Sequence, residues 1–466
     1  MLKLTSGSMT RCCDRISRRE CLQIGSLALG GLGLGNINLS NLLAAGASDP
    51  GLGDVMADKS VVLLFLTGGP SQIETFDPKM TAPAEFRSIT GDLATSVPGV
   101  HFGGTFPRLA RLADRMAVVR SFTHGNSNHT GGVEDVIRGL NPTGAGMGSV
   151  VTRIRGTTDP KHGMPVHVYL AREEEDPQFN KERIRLQDAA GPAQLGSAYG
   201  AFNPLGGGHF SSSLSLNIGR TRLDDRRALR RALDRLSRRV DADGVMDSID
   251  RFEQQALDLV LGKSKDAFDL GQEDPALVEK YDTGRFNTAL RIESRPSTLG
   301  HQMLLARRLC EVGCRFITIH NPGWDMHGGN TQFNMPFGME RLGRPVDQAV
   351  ATFLEDVEDR GLSDKILLVI TGEFGRTPKL KPDGGRDHWP RLSTLAFAGG
   401  GLKMGQAIGQ SSSRAEEPRT KPLTPENLFA TILHLLFDIP ALRLQPGLPR
   451  QITALIEREE PIGELF

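Results

Sequence analysis

Disulfide chemistry is what this chain is least equipped for. Five cysteines are spread over 466 residues, and three of them, Cys12, Cys13 and Cys21, crowd into the N-terminal stretch. The other two, Cys310 and Cys314, stand four positions apart around the end of a predicted helix, which suits small core residues better than the Cβ geometry a disulfide demands. No zinc-ribbon spacing occurs, so any metal must be held by oxygen and imidazole. Net charge is missing too: 55 basic and 55 acidic residues cancel. That excludes the global field that draws proteins onto nucleic acid or anionic membrane, and no nucleic-acid partner is expected. A Gly-x-Ser-x-Gly elbow of the serine-hydrolase kind is absent, as is any internal repeat.

What is present begins with an address. Ser17-Arg-Arg-Glu-Cys-Leu22 precedes the uncharged, glycine- and leucine-rich stretch Gly25 to Leu34, and Ala45-Gly-Ala47 follows as a small-residue cleavage site. This is the layout of a twin-arginine export signal. The apolar stretch is short and diluted by glycine, too weak for a membrane span. The expected organisation is a signal peptide over residues 1–47, a linker over 48–60 and one α/β domain over 61–466. The expected location is periplasmic or extracellular, with no stable membrane span once the signal is removed.

Within the domain, continuous apolar runs at Val61 to Leu66, Met116 to Val119, Met164 to Leu170, Phe316 to Ile319, Ile366 to Ile370 and Leu395 to Phe397 read as strands buried on both faces. Helical patterns fall between most of them: Phe106 to Ala113, Gly131 to Leu140, Leu299 to Val312, Pro345 to Arg360 and Pro425 to Phe437. Such alternation predicts a mostly parallel sheet covered on both sides, with ligands beyond the carboxyl ends of the strands. Residues 222–281 read as an inserted helical segment. Its arginine-rich stretch Arg222 to Arg239 has acids interleaved, the pattern of a solvated, salt-bridged face. Gln410 to Pro422 reads as a surface loop.

The chemistry-bearing residues follow the strands. Asp325 and His327 are two apart, a spacing that sets both side chains on one side of an extended segment, and Gly323, Gly328 and Gly329 oppose a helix there. Carboxylate with imidazole suits zinc, manganese or iron; the alternative is a strand-end acid capping backbone N–H groups. Asp387-His388 is a second acid–imidazole pair, and the chain's two tryptophans, Trp324 and Trp389, adjoin these pairs as possible pocket walls. Glu373 is either a third carboxylate at the same edge or a helix N-terminal acid. Arg376 can hold an anion through its planar fork or pair with Glu373. Ser71 and Thr67 lie at a strand-to-loop junction. The polar stretch holding His124, Asn126, Asn128 and His129 enters a helix, whose N–H groups suit phosphate or sulfate or are capped by Asn128 or Thr130.

Together, the twin-arginine start, Gly68-Gly-Pro-Ser71, Thr75-Phe-Asp-Pro78, Ala306-Arg-Arg-Leu309, Trp324-Asp-Met-His327, Glu373-Phe-Gly-Arg-Thr-Pro378 and Gly385-Arg-Asp-His-Trp389 resemble the domain-of-unknown-function 1501 (DUF1501) family. Its members are mostly exported bacterial proteins, abundant in planctomycetes, in the alkaline phosphatase and sulfatase superfamily. The resemblance runs from Val61 to Pro440. It implies an alkaline phosphatase-like three-layer α/β sandwich and a divalent metal ion, zinc, manganese or calcium, at Asp325, His327 and His388, with Glu373 as a further acidic ligand. Thr67 stands where relatives carry Asp, and Phe374 where the superfamily carries His, so a single ion is expected. His129 falls near the nucleophile's place as a ligand, general acid or nucleophile, and Arg376 and Ser71 complete the catalytic candidates. The implied activity is hydrolysis of sulfate or phosphate esters on small molecules or polysaccharides. The alternative is a non-catalytic protein that binds an anionic glycan or a partner on the same fold.

Overall fold

The computed structural model describes residues 56–171, 179–204, 262–286, 296–329, 334–445, 448–458 and 460–466, with the isolated positions 222, 225 and 259. The signal peptide and most of the linker expected before the domain lie outside the described residues. So do nearly all of the Arg222 to Arg239 and Val245 to Leu261 stretches.

The strands are β1 (Ser60–Leu66), β2 (Asp92–Ala94), β3 (His101–Gly103), β4 (Met116–Val119), β5 (His167–Leu170), β6 (Phe316–Asn321), β7 (Ile366–Thr371), β8 (Gly375–Arg376), β9 (His388–Trp389), β10 (Leu395–Gly399) and β11 (Gln406–Ile408). Seven of them form one sheet in the order β11-β4-β10-β7-β1-β6-β5. β1 lies at its interior, paired parallel with β6 and β7. β10 runs antiparallel to both its neighbours, β4 and β7, while β11 and β5 add parallel edges. β1 is buried along its whole length because it is apolar on both faces. Val62, Leu64 and Leu66 enter one core and Val61, Leu63 and Phe65 the other, the period of two that a pleated strand imposes.

Each face is closed by helices, which makes three layers. On the first lie α1 (Pro107–Arg111), followed later in the chain by two long helices. On the second lie α2 (His129–Arg138), α3 (Met147–Arg155) and α4 (Asn180–Ala189). The long helices of the first face are α5 (Leu299–Glu311) and α6 (Arg344–Asp359), and α7 (Pro425–Leu436) joins the second face. Cys310 and Cys314 are buried and unpaired, as their spacing predicts. The described end of the inserted segment, with helix Pro275–Tyr281, packs on the first face, where Tyr281 donates to Asp356 (2.9 Å) and Arg307 donates to Glu273 (2.6 Å) and Asp356 (2.9 Å). No described helix is long and apolar enough to cross a membrane.

The reversed strand decides where the site can form. Segments leaving β1, β4, β6 and β7 emerge at the carboxyl edge of the sheet. Because β10 is antiparallel, with Leu395 opposite Thr371 and Val119, the segment entering it arrives at that same edge. Asp387-His388, which precedes its strand, thereby meets residues that follow theirs.

Candidate metal centre

Asp325 is the hub. It follows β6 in a turn held by Trp324 N–H donating to Thr67 O (3.0 Å). Its Oδ1 lies 2.9 Å from His327 Nε2 and 3.2 Å from His388 Nε2, and its Oδ2 lies 3.4 Å from His129 Nε2. Arg376 donates to Oδ1 at 2.6 Å. His129, Asp325 and His388 each offer a ligand atom within 4.8 Å of the others, and His327 Nε2 sits 2.9 Å from His388 Nε2.

Every imidazole is also held from behind. His129 Nδ1 pairs with Glu373 Oε1 (2.8 Å), His327 Nδ1 with Asp387 Oδ1 (2.8 Å) and His388 Nδ1 with the Ser127 carbonyl (2.8 Å). With Nδ1–H donated outward, a neutral imidazole turns the lone pair of Nε2 inward. Three lone pairs then face one another and a carboxylate, an arrangement that repels itself unless a cation or protons lie between. Outer acceptors on the second ring nitrogen are what metal-bound histidines use to fix tautomer and direction. Donor atoms on a tetrahedral ion with bonds of about 2.0–2.1 Å lie about 3.3 Å apart; the contacts here, 2.9 to 3.4 Å, bracket that value. The residues present fit a small divalent ion.

With no ion in the centre, the same groups share protons. Burial works to raise the Asp325 carboxyl, but bonds from His129, His327 and His388 and the charge of Arg376 hold it far below the carboxylate range. Burial works to lower His129, yet its bonds to Asp325 and Glu373 push it up to about 9. His327 is raised chiefly by its bond to Asp325, and Asp387 is lowered chiefly by its bond to His327.

Several expected roles change. Arg376 is fully buried and spends its guanidinium on the carbonyls of Gly68, Gly69, Trp324 and Arg386 as well as on Asp325. It orients Asp325 and presents no fork to a substrate, and its partner is not Glu373. Glu373, also fully buried, stands behind His129 and accepts Gly68 N–H (2.8 Å), so it supports a donor and is not itself one of the converging atoms. Ser71 is buried, with Oγ accepting Glu74 N–H (3.3 Å), the bond of a local turn. Trp324 is a core residue whose indole N–H donates to Asn321 (2.9 Å), not a pocket wall. Asn128 caps α2 through Thr130 N–H (2.9 Å) and Gly131 N–H (3.3 Å), which selects the capping alternative for that helix start. Phe374 fills space beside the cluster: its ring centroid lies 4.3 Å from that of His388 and 5.1 Å from that of His129.

Two supporting features escaped sequence reasoning. Arg386, fully buried, donates to the equally buried Glu74 (3.1 Å) and to the carbonyls of Thr377, Pro378 and Arg87, tying the segment before His388 to the loop after β1. Glu182, on α4, donates no motif to the eye, yet its Oε2 accepts Gly323 N–H (3.3 Å). Gly385-Arg-Asp-His388 flagged the first only by adjacency; nothing in the sequence around 182 flagged the second.

Solved structures similar to this chain include a sulfatase from Pseudoalteromonas sp. (12% identity, TM-score 0.34, 81% of this chain and 67% of that one). A phosphonate monoester hydrolase from Silicibacter pomeroyi matches at 10% identity and TM-score 0.32 (81% and 73%). A protein in the alkaline phosphatase superfamily from Vibrio parahaemolyticus matches at 10% identity and TM-score 0.33 (85% and 76%). No curated protein matches the chain in sequence. The family described as "Protein of unknown function (DUF1501)" matches residues 58–448, which hold every residue of the candidate centre, and the chain belongs to that family.

Proposed function

We propose that this protein is an exported, single-metal hydrolase of sulfate or phosphate esters, with polysaccharide esters among its substrates. The observation that carries the reading is the convergence of three imidazole Nε2 atoms on Asp325, each ring braced from behind. His129, Asp325, His327 and His388 would hold the ion. Bound there, zinc, manganese or calcium would supply positive charge for the ester oxygens and a more acidic water. The protein's own contribution is orientation: Glu373, Asp387 and the Ser127 carbonyl aim the rings, and Arg376 aims the carboxylate. Ser71, buried in its turn, is not placed to attack a substrate. Phe374 and Thr67 stand where the resemblance calls for ligands of a second ion, which supports one ion over two. The twin-arginine layout of residues 1–47 supports export.

A second reading, a binding protein for an anionic glycan or a partner, is favoured by one feature. Four protein donors close a tetrahedral ion, whereas catalytic zinc sites keep a position open. An aryl phosphate and aryl sulfate screen with added Zn²⁺, Mn²⁺ or Ca²⁺ separates the two. Turnover that disappears in His129→Ala together with the metal supports the hydrolase. Stoichiometric metal with no turnover on any ester supports the binding protein.

A further inference from the structure

Asp325 is aimed by more than Arg376, because the turn that carries it hangs from two consecutive N–H groups. Trp324 N–H donates to Thr67 O at the end of β1 (3.0 Å), and Gly323 N–H donates to Glu182 Oε2 from α4 (3.3 Å). Gly323 has φ +99°, a turn conformation open to glycine and costly for other residues. We propose that Glu182 is a positioning residue of the metal centre: as an acceptor carried in by α4, it pins the Gly323 end of the ligand-bearing turn and so sets where Asp325 sits. This rests on the metal-binding reading of the site.

The Glu182 side chain is partly exposed, yet desolvation, with the negative charges of Glu373 and Asp325, drives its pKa up to about 8, while the Gly323 bond and His129 pull the other way. Ionised or neutral, the carboxyl keeps an oxygen that accepts the Gly323 N–H. Glutamine is its neutral isostere and should serve in its place.

The test compares wild type, Glu182→Ala and Glu182→Gln by amide hydrogen exchange at Gly323 and by titration of the metal-free protein with Zn²⁺. Glu182→Ala should speed exchange at Gly323 about tenfold or more and weaken zinc about 10–100-fold, the usual effect of losing an outer-shell partner. Glu182→Gln should restore both to within about threefold, which a general loss of folding would not allow. Unchanged exchange and affinity in Glu182→Ala overturn the proposal, as does a glutamine variant as impaired as the alanine one. Wild type that takes up no zinc overturns the metal reading instead, and the exchange at Gly323 then decides the role of Glu182 alone.

Discussion

Gly68 shows how little room the centre leaves. Its φ is +114°, and a Cβ there would fall 2.5 Å from Asp325 N and 2.7 Å from Trp324 N. Backbone on both sides cannot yield cheaply, so Gly68→Ala should displace the Asp325 turn. The expected result is a stability loss of roughly 1–3 kcal/mol from backbone strain together with lost metal retention, read by urea denaturation and zinc titration; an alanine variant that keeps both contradicts the geometry. Residue spacing made Asp325, His327 and His388 legible, because an extended two-residue step and an acid–imidazole pair are local patterns. Arg376 was legible as a functional arginine but not as a carboxylate orienter. Whether a guanidinium points outward to a ligand or inward to five backbone and side-chain acceptors depends on packing that spacing does not encode. Glu373 misled in the same way: its position at a strand end was readable, its place behind His129 was not.

At the scale of elements, the strands β1, β4, β6, β7 and β10 were readable from uninterrupted apolar runs, and α2, α5, α6 and α7 from helical periodicity. The short β8 and β9, which pair antiparallel as Gly375 with Trp389 and Arg376 with His388, carry no such signal. They matter, since they join the Arg376 segment to the His388 segment. The strands also bury two imidazoles far from any donor role. His167 on β5 and His320 on β6 are enclosed, and desolvation drops each to a pKa of about 3. In the unfolded chain each titrates near 6.5, so below that pH the unfolded state binds more protons than the folded one. Stability should therefore be full above about pH 6.5 and fall as pH drops toward 3, by at most about 1.4 kcal/mol per pH unit for each histidine. Urea midpoints followed from pH 7 to 4 should show a shallower slope in His167→Leu than in wild type, whatever the variant's absolute stability. Equal slopes would mean that His167 is not held neutral by burial.

For the molecule as a whole, the layered α/β architecture was open to sequence reading because strands and helices alternate. Convergence of the site was less so, because it depends on β10, which in the described seven-stranded sheet runs against its neighbours, bringing His388 to the edge where Asp325 ends its own strand. Net neutrality removes long-range steering, so retention of an ion rests on the local donor set and not on an overall field. The central claim is that this donor set holds one divalent ion. Elemental analysis of protein expressed as the full chain and purified without chelators, beside an Asp325→Asn/His388→Ala variant folded to the same extent, tests it most directly. About one zinc, manganese or calcium per chain in the wild type and none in the variant is the predicted result. A metal-free wild type, or equal metal in both proteins, would contradict the account.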